Sequence, residues 1–141
     1  MIYKKEIAGV IAILMLMACS HSLWDSLPGP ISTFISTYYP LSNISSYDEN
    51  NGTYYVTIKN GASITFDSDF QWTYINGNGE KLPQIFVEDK LEPKLVQYLM
   101  ETESVGEVFA AHNEPREVIL DMLDYKIRYI KESGEIMEIR E

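Results

Sequence analysis

Two histidines, one cysteine and a surplus of carboxylates are the side chains here that could do chemistry. His21 lies near the start of the chain and His112 just before Asn113-Glu114-Pro115. Neither has a second ligand or nucleophile at the spacing of a metal site or a catalytic triad, so each is expected to be a solvated side chain. Asp67-Ser68-Asp69 has the alternating oxygens of a calcium loop, but Trp72 stands where such a loop needs glycine. A self-capped turn fits better, and the same holds for Asp48-Glu49. Asn76-Gly77-Asn78-Gly79 is rich in glycine, yet no helix begins directly after it to hold a phosphate. It is expected to connect two units. With 21 acidic residues, proximity of two carboxylates carries no information. No catalytic residues, cofactor or metal ligands are expected, and the chain is not expected to be an enzyme.

Cys19 is the exception. Lys4 and Lys5 precede a nearly unbroken apolar run, Ile7 to Met17, that closes on the small residue Ala18. These are the parts of a secretory signal peptide, and the run is short of the roughly 20 residues that span a bilayer. Leu16-Met17-Ala18-Cys19 resembles the lipobox of bacterial lipoproteins, with Met17 a less common residue in it. The resemblance implies cleavage after residue 18 and diacylation of the Cys19 sulfur, and Ser20 implies sorting to the outer membrane. Cys19 is the only cysteine, so no internal disulfide can form, and acylation accounts for an otherwise exposed thiol. Residues 19–26 are expected to be a lipidated tether, reaching at most about 23 Å beyond the cysteine. Asp25-Ser26-Leu27 resembles an O-glycosylation site of Bacteroidetes-type bacteria, but Asp25 and Ser26 ahead of Pro28 serve equally as helix-capping residues.

Removing residues 1–18 takes away Lys4, Lys5 and Glu6, leaving 9 basic and 20 acidic side chains and a net charge of −11. Such a chain has no basic field for a nucleic-acid backbone. The excess charge serves solubility or attraction to a basic partner.

The elements that must position any site follow from periodicity. Ile31, Phe34, Ile35 and Tyr38 keep the i, i+3, i+4, i+7 spacing of a buried helical stripe within Leu27 to Tyr39, stopped by Pro40. Four strands are expected at Ser42–Tyr47, Thr53–Ile58, Ala62–Phe66 and Trp72–Asn76. Asp48 to Gly52, Asn60-Gly61 and Asp67 to Asp69 form the turns. At an offset of 64 residues the order recurs: Leu91, Leu95, Tyr98 and Leu99 stand under Leu27, Ile31, Phe34 and Ile35, and Val118, Leu120 and Met122 under Tyr54, Val56 and Ile58. The expected fold is α+β: a tandem repeat of a helix followed by antiparallel strands, with units 27–80 and 81–141, forming one sheet with helices on one face. Strand parity asks for a three-residue loop, Lys59-Asn60-Gly61, with Gly61 left-handed, and for an even loop at Leu123-Asp124 or a four-residue turn around it.

Leu27-Pro28, Tyr39-Pro40, the run Gly52-Thr53-Tyr54-Tyr55-Val56-Thr57-Ile58-Lys59-Asn60-Gly61, then Ile64-Thr65-Phe66-Asp67 and Trp72-Thr73 resemble the PepSY-like lipoproteins of Bacteroidetes, whose fold is similar to that of the β-lactamase inhibitor protein. The match covers most of 27–82, and the second unit follows only in pattern. The resemblance implies a helix-plus-sheet module of the cell envelope with a protein-binding or inhibitor-like role, and no catalytic residues. If Tyr54, Val56 and Ile58 face the helix, then Tyr55, Thr57, Ser63, Thr65 and Tyr74 face away, and tyrosines among small hydroxyls suit a recognition surface. These five are the candidate contacts for an exported or membrane-borne protein partner. A small-ligand or cation sensor using Asp67 and Asp69, and a structural lipoprotein without a dedicated ligand, are the alternatives.

Overall fold

The computed structural model describes residues 23–140; Cys19, His21 and the expected leader 1–18 lie outside the described residues. One eight-stranded antiparallel sheet, with strands in sequence order, carries all the helices in a single hydrophobic cluster on one face. Helix α1 (Gly29–Tyr38) leads into β1 (Ile44–Asn50), β2 (Thr53–Ile58), β3 (Ser63–Phe66) and β4 (Trp72–Asn76). Helices α2 (Gln84–Lys90) and α3 (Pro93–Glu101) then lead into β5 (Ala110–Asn113), β6 (Glu117–Asp121), β7 (Lys126–Ile130) and β8 (Ile136–Ile139).

The stripe expected of α1 is buried: Ile31, Phe34, Ile35 and Tyr38 all lie in the core. On α3 the corresponding positions Leu95 and Leu99 are fully buried, with Val96 beside them. The inward side chains of the sheet (Val56, Ile58, Ile64, Phe66 and Ile75, then Ala111, Val118, Leu120 and Ile127) alternate with outward polar ones and close the cluster. On β4 alternation breaks: Trp72 and Ile75 are both buried although three residues apart. A bulge between β3 and β4 explains it, since Thr65 pairs with Tyr74 while Phe66 pairs with Trp72. Thr73 is the extra residue, and its hydroxyl donates to the Thr65 carbonyl at 3.3 Å.

Several expectations need correction. β1 runs on to Asn50 instead of ending at Tyr47, because Asp48 and Asn50 pair with Tyr55 and Thr53. Only Asn51 and Gly52 turn the chain, with φ of 52° and 80°, the geometry of a two-residue type I′ hairpin. The loop after β2 has three residues, so Val56 pairs with Ile64 on one face as parity requires. Its left-handed residue is Asn60 (φ 56°), not Gly61, and the Gly61 amide donates to the Ile58 carbonyl at 3.0 Å. Asparagine tolerates that conformation, which leaves glycine unnecessary there. The even loop of the second half is present: Leu120 pairs with Ile127, and the Met122 amide donates to the Tyr125 carbonyl across Leu123-Asp124.

At the N-terminal side, residues 23–26 are helical, with Leu23 and Trp24 packed against the core, so this part of the expected 19–26 tether is not free chain. The cap residue of α1 is Pro28, which brings no side-chain cap, and not Asp25 or Ser26. Helix α2 was not legible from the spacing. It brings Phe86 and Val87 into the centre of the core, and Tyr38 on α1 donates its hydroxyl to Asp89 of α2 at 2.8 Å. Burial and the neighbouring Asp89 carboxylate together push the Tyr38 phenol up to about 12.

Candidate functional site: the open face of the sheet

Cross-strand pairing places the outward side chains in ordered rows. One row crosses the whole sheet: Asp48, Tyr55, Thr65 and Tyr74 on β1–β4 continue as His112, Ile119, Arg128 and Met137 on β5–β8. The next row contains Thr57 and Ser63, then Asn76, Ala110, Asp121 and Lys126. Direct cross-strand neighbours of this kind have Cβ atoms about 4.5–5.5 Å apart. All five residues singled out from the sequence are therefore brought together on one patch of β2–β4. Tyr55 is its most exposed large side chain, at 45%.

The remainder of the face was not legible. His112 is no solvated turn residue: it sits on β5, its ring 4.6 Å from that of Tyr74 and tilted by 43°. Its Nε2 lies 3.4 Å from Asp121 Oδ2, and Lys126 Nζ approaches the other oxygen at 3.6 Å. Beside them Arg128 Nε lies 3.0 Å from Glu117 Oε2. That approach is off the N–H direction, so the pair is held by charge and not by an aligned hydrogen bond. The open face thus has a neutral aromatic-hydroxyl half on β2–β4 and a charge-paired half on β5–β7, and the Tyr74–His112 stack joins them at mid-sheet. Nothing in the local sequence signals this join, because the partners of His112 are 38 and 9 residues away.

The acidic turn that could have taken a cation is committed to its own backbone. Asp67 Oδ1 accepts from the amides of Asp69 at 2.9 Å and Gln71 at 3.0 Å, and the Asp67 amide donates to the Gln71 carbonyl. Phe70, left-handed at φ 61°, stacks on Tyr54 at 5.1 Å. Asn76-Gly77-Asn78-Gly79 is the connector leaving β4, and Asn78 fastens it to the β2–β3 turn by bonds to the Gly61 carbonyl and the Ser63 hydroxyl at 2.9 and 3.0 Å. Among the described residues no group of three or more His, Cys, Asp or Glu is placed to hold a metal ion, and no helix is long and apolar enough to cross a membrane.

No family profile matches the chain, and no curated protein matches it in sequence. Solved structures do. A periplasmic protein of the DUF2874 family from Bacteroides vulgatus superposes with a TM-score of 0.68 at 16% identity, over 84% of this chain and 93% of that one. A Bacteroides thetaiotaomicron protein, described as calcium-regulated and periplasmic, gives 0.67 at 12% identity over 84% and 93%. A second periplasmic protein of Bacteroides vulgatus, of unknown function, gives 0.64 at 13% identity over 81% and 92%. This chain is similar to all three in fold across nearly its whole described length.

Proposed function

We propose that this chain is a binding module of the bacterial cell envelope that receives an exported or membrane-borne protein on the open face of its sheet, in the manner expected of PepSY-like or β-lactamase-inhibitor-like proteins. The observation that carries the proposal is the contiguity of Tyr55, Thr57, Ser63, Thr65 and Tyr74 on the sheet face opposite the helices. An antiparallel sheet can leave one face to water, but aromatic side chains among hydroxyls offer contact area at little conformational cost. The periplasmic origin of the fold neighbours supports an envelope location. Lipid on Cys19 would anchor the module, with the outer membrane as its site, and binding rather than catalysis is its role.

The test is capture of partners from native membranes by the unaltered chain and by Tyr55→Ala and Tyr74→Ala. Each substitution removes an exposed or half-exposed ring and should leave stability nearly unchanged. Each should weaken capture about 5- to 30-fold if it removes an anchoring aromatic. Partners retained equally by all three chains would remove the open face from consideration.

Cation sensing through Asp67 and Asp69 is the second reading, prompted by the fold neighbour described as calcium-regulated. Against it stands the use of Asp67 Oδ1 by two amides of its own turn. Millimolar calcium is therefore expected to leave the thermal midpoint of this protein where it was. A rise of several degrees, abolished by Asp67→Asn, would reverse the order of the two readings.

A further inference from the structure

The two edges of the sheet are built differently, and the difference points to self-association through one of them. At the β1 edge, the type I′ turn at Asn51-Gly52 makes Asn50 and Thr53 a hydrogen-bonded pair, and alternation then directs the main chain of Tyr47 and Glu49 outward. The Glu49 amide is already taken, donating to Asp48 Oδ1 at 2.9 Å. Asp48 and Glu49 give this edge two negative charges with no basic residue in the strand. Both features are common protections against strand addition.

At the β8 edge the Ile130 amide donates to the Glu135 carbonyl at 2.9 Å, so Arg128–Met137 and Lys126–Ile139 continue the hydrogen-bonded pairs. The amides and carbonyls of Ile136 and Glu138 therefore face outward, with no strand beyond them. The strand reads Ile-Met-Glu-Ile, and Ile136, Met137 and Ile139 are each half-buried. It is held firmly in place: Tyr98 donates to Glu138 at 2.7 Å, Arg140 bonds the other oxygen of that carboxylate at 3.2 Å, and the Arg140 guanidinium lies 4.2 Å over the Tyr125 ring.

We infer that a second copy of this chain adds to the β8 edge, antiparallel, about a two-fold axis through Met137. In that register Ile136 stands opposite Glu138 of the other copy, so all four outward main-chain groups find partners and no like charges meet directly. Met137 meets its own counterpart, apolar on apolar. Charge favours a second copy at this edge over the β1 edge. The chain carries −10 overall, yet the one carboxylate of β8, Glu138, is paired with Arg140 at 3.2 Å, whereas Asp48 and Glu49 on β1 have no basic residue in their strand. Repulsion between two copies is therefore weaker at β8 than at β1. The contact is isologous, as two-fold closure requires, and joins two sheets into one continuous surface.

Produced as the full chain in an exporting bacterial host, the protein is expected to sediment as a dimer at high concentration. Met137→Cys should give a disulfide-linked pair under mild oxidation by dissolved oxygen, which the unaltered chain with Cys19 alone does not. Ile136→Pro removes an outward amide that the ladder to β7 does not use and leaves the Glu138 anchor to Tyr98 and Arg140 in place, so the monomer keeps its fold while strand addition is lost. Met137→Lys, which sets two ammonium groups at the axis, covers the case in which the proline variant does not fold. Either variant should raise the dimer dissociation constant at least tenfold. A chain monomeric at every concentration, or a dimer that survives in the folded variants, would overturn the inference.

Discussion

Phe86→Ala is expected to destabilise the protein by about 3–5 kcal/mol, the usual cost of emptying a fully buried aromatic site. In a domain of this size that lowers the melting midpoint by on the order of 10–20 °C. Phe86 is completely buried, and its ring meets three others edge-on: Trp72 at 5.1 Å, Tyr38 at 5.6 Å and Phe34 at 5.9 Å. The three partner rings come from β4 and α1 and Phe86 itself from α2, so a cavity at this point loosens the attachment of both helices to the sheet. Collapse around it is restricted, because Phe34 is already held against Phe66 at 5.1 Å. Calorimetric or denaturant unfolding checks the value. A loss below about 1 kcal/mol would mean that α2 is not part of the cooperative core.

Gly77→Ala should be nearly as damaging, at about 3 kcal/mol or more, for a different reason. A Cβ at Gly77 would run into the Glu80 carbonyl oxygen and press on the Phe109 carbonyl oxygen at 3.2 Å. Both are backbone atoms, and both are fixed: the Gly77 amide donates to Phe109 at 2.9 Å and the Glu80 amide donates back to Gly77 at 3.2 Å. The neighbouring glycine gives the control. Gly79 has φ of +96°, but a Cβ there meets nothing within 4 Å, so Gly79→Ala should cost only the conformational strain, about 1–2 kcal/mol. Equal losses for the two variants would mean that the connector yields more readily than its bonds imply.

What could be read from the chain before folding was what repeats along it. The stripe Ile31, Phe34, Ile35, Tyr38 and the alternation Tyr55, Thr57 against Val56, Ile58 depend only on helical and strand periods, so the α+β class, the sheet and its two faces were legible. Tyr55, Thr57, Ser63 and Thr65 followed from the same parity, whereas Tyr74 shares their face because of the bulge at Thr73. Helix α2 was missed because two turns bury only Phe86 and Val87, too few to set a period. The left-handed residue of the β2–β3 turn was misplaced because Asn60 and Gly61 are both able to take it, and local preference does not separate them.

The open face divides along the same line. Periodicity assigned which residues look outward, and composition alone marked Tyr55 and Tyr74 as contacts. Register decided who stands beside whom. Only when β4 and β5 pair does Tyr74 come over His112, and only when β5 and β6 pair does Asp121 come beneath it. The contrast between a closed β1 edge and an open β8 edge is of the same kind, since it depends on which amides each hairpin turns outward. Periods are written in neighbouring residues; pairings are settled by distant strands meeting in three dimensions, and no local spacing records them.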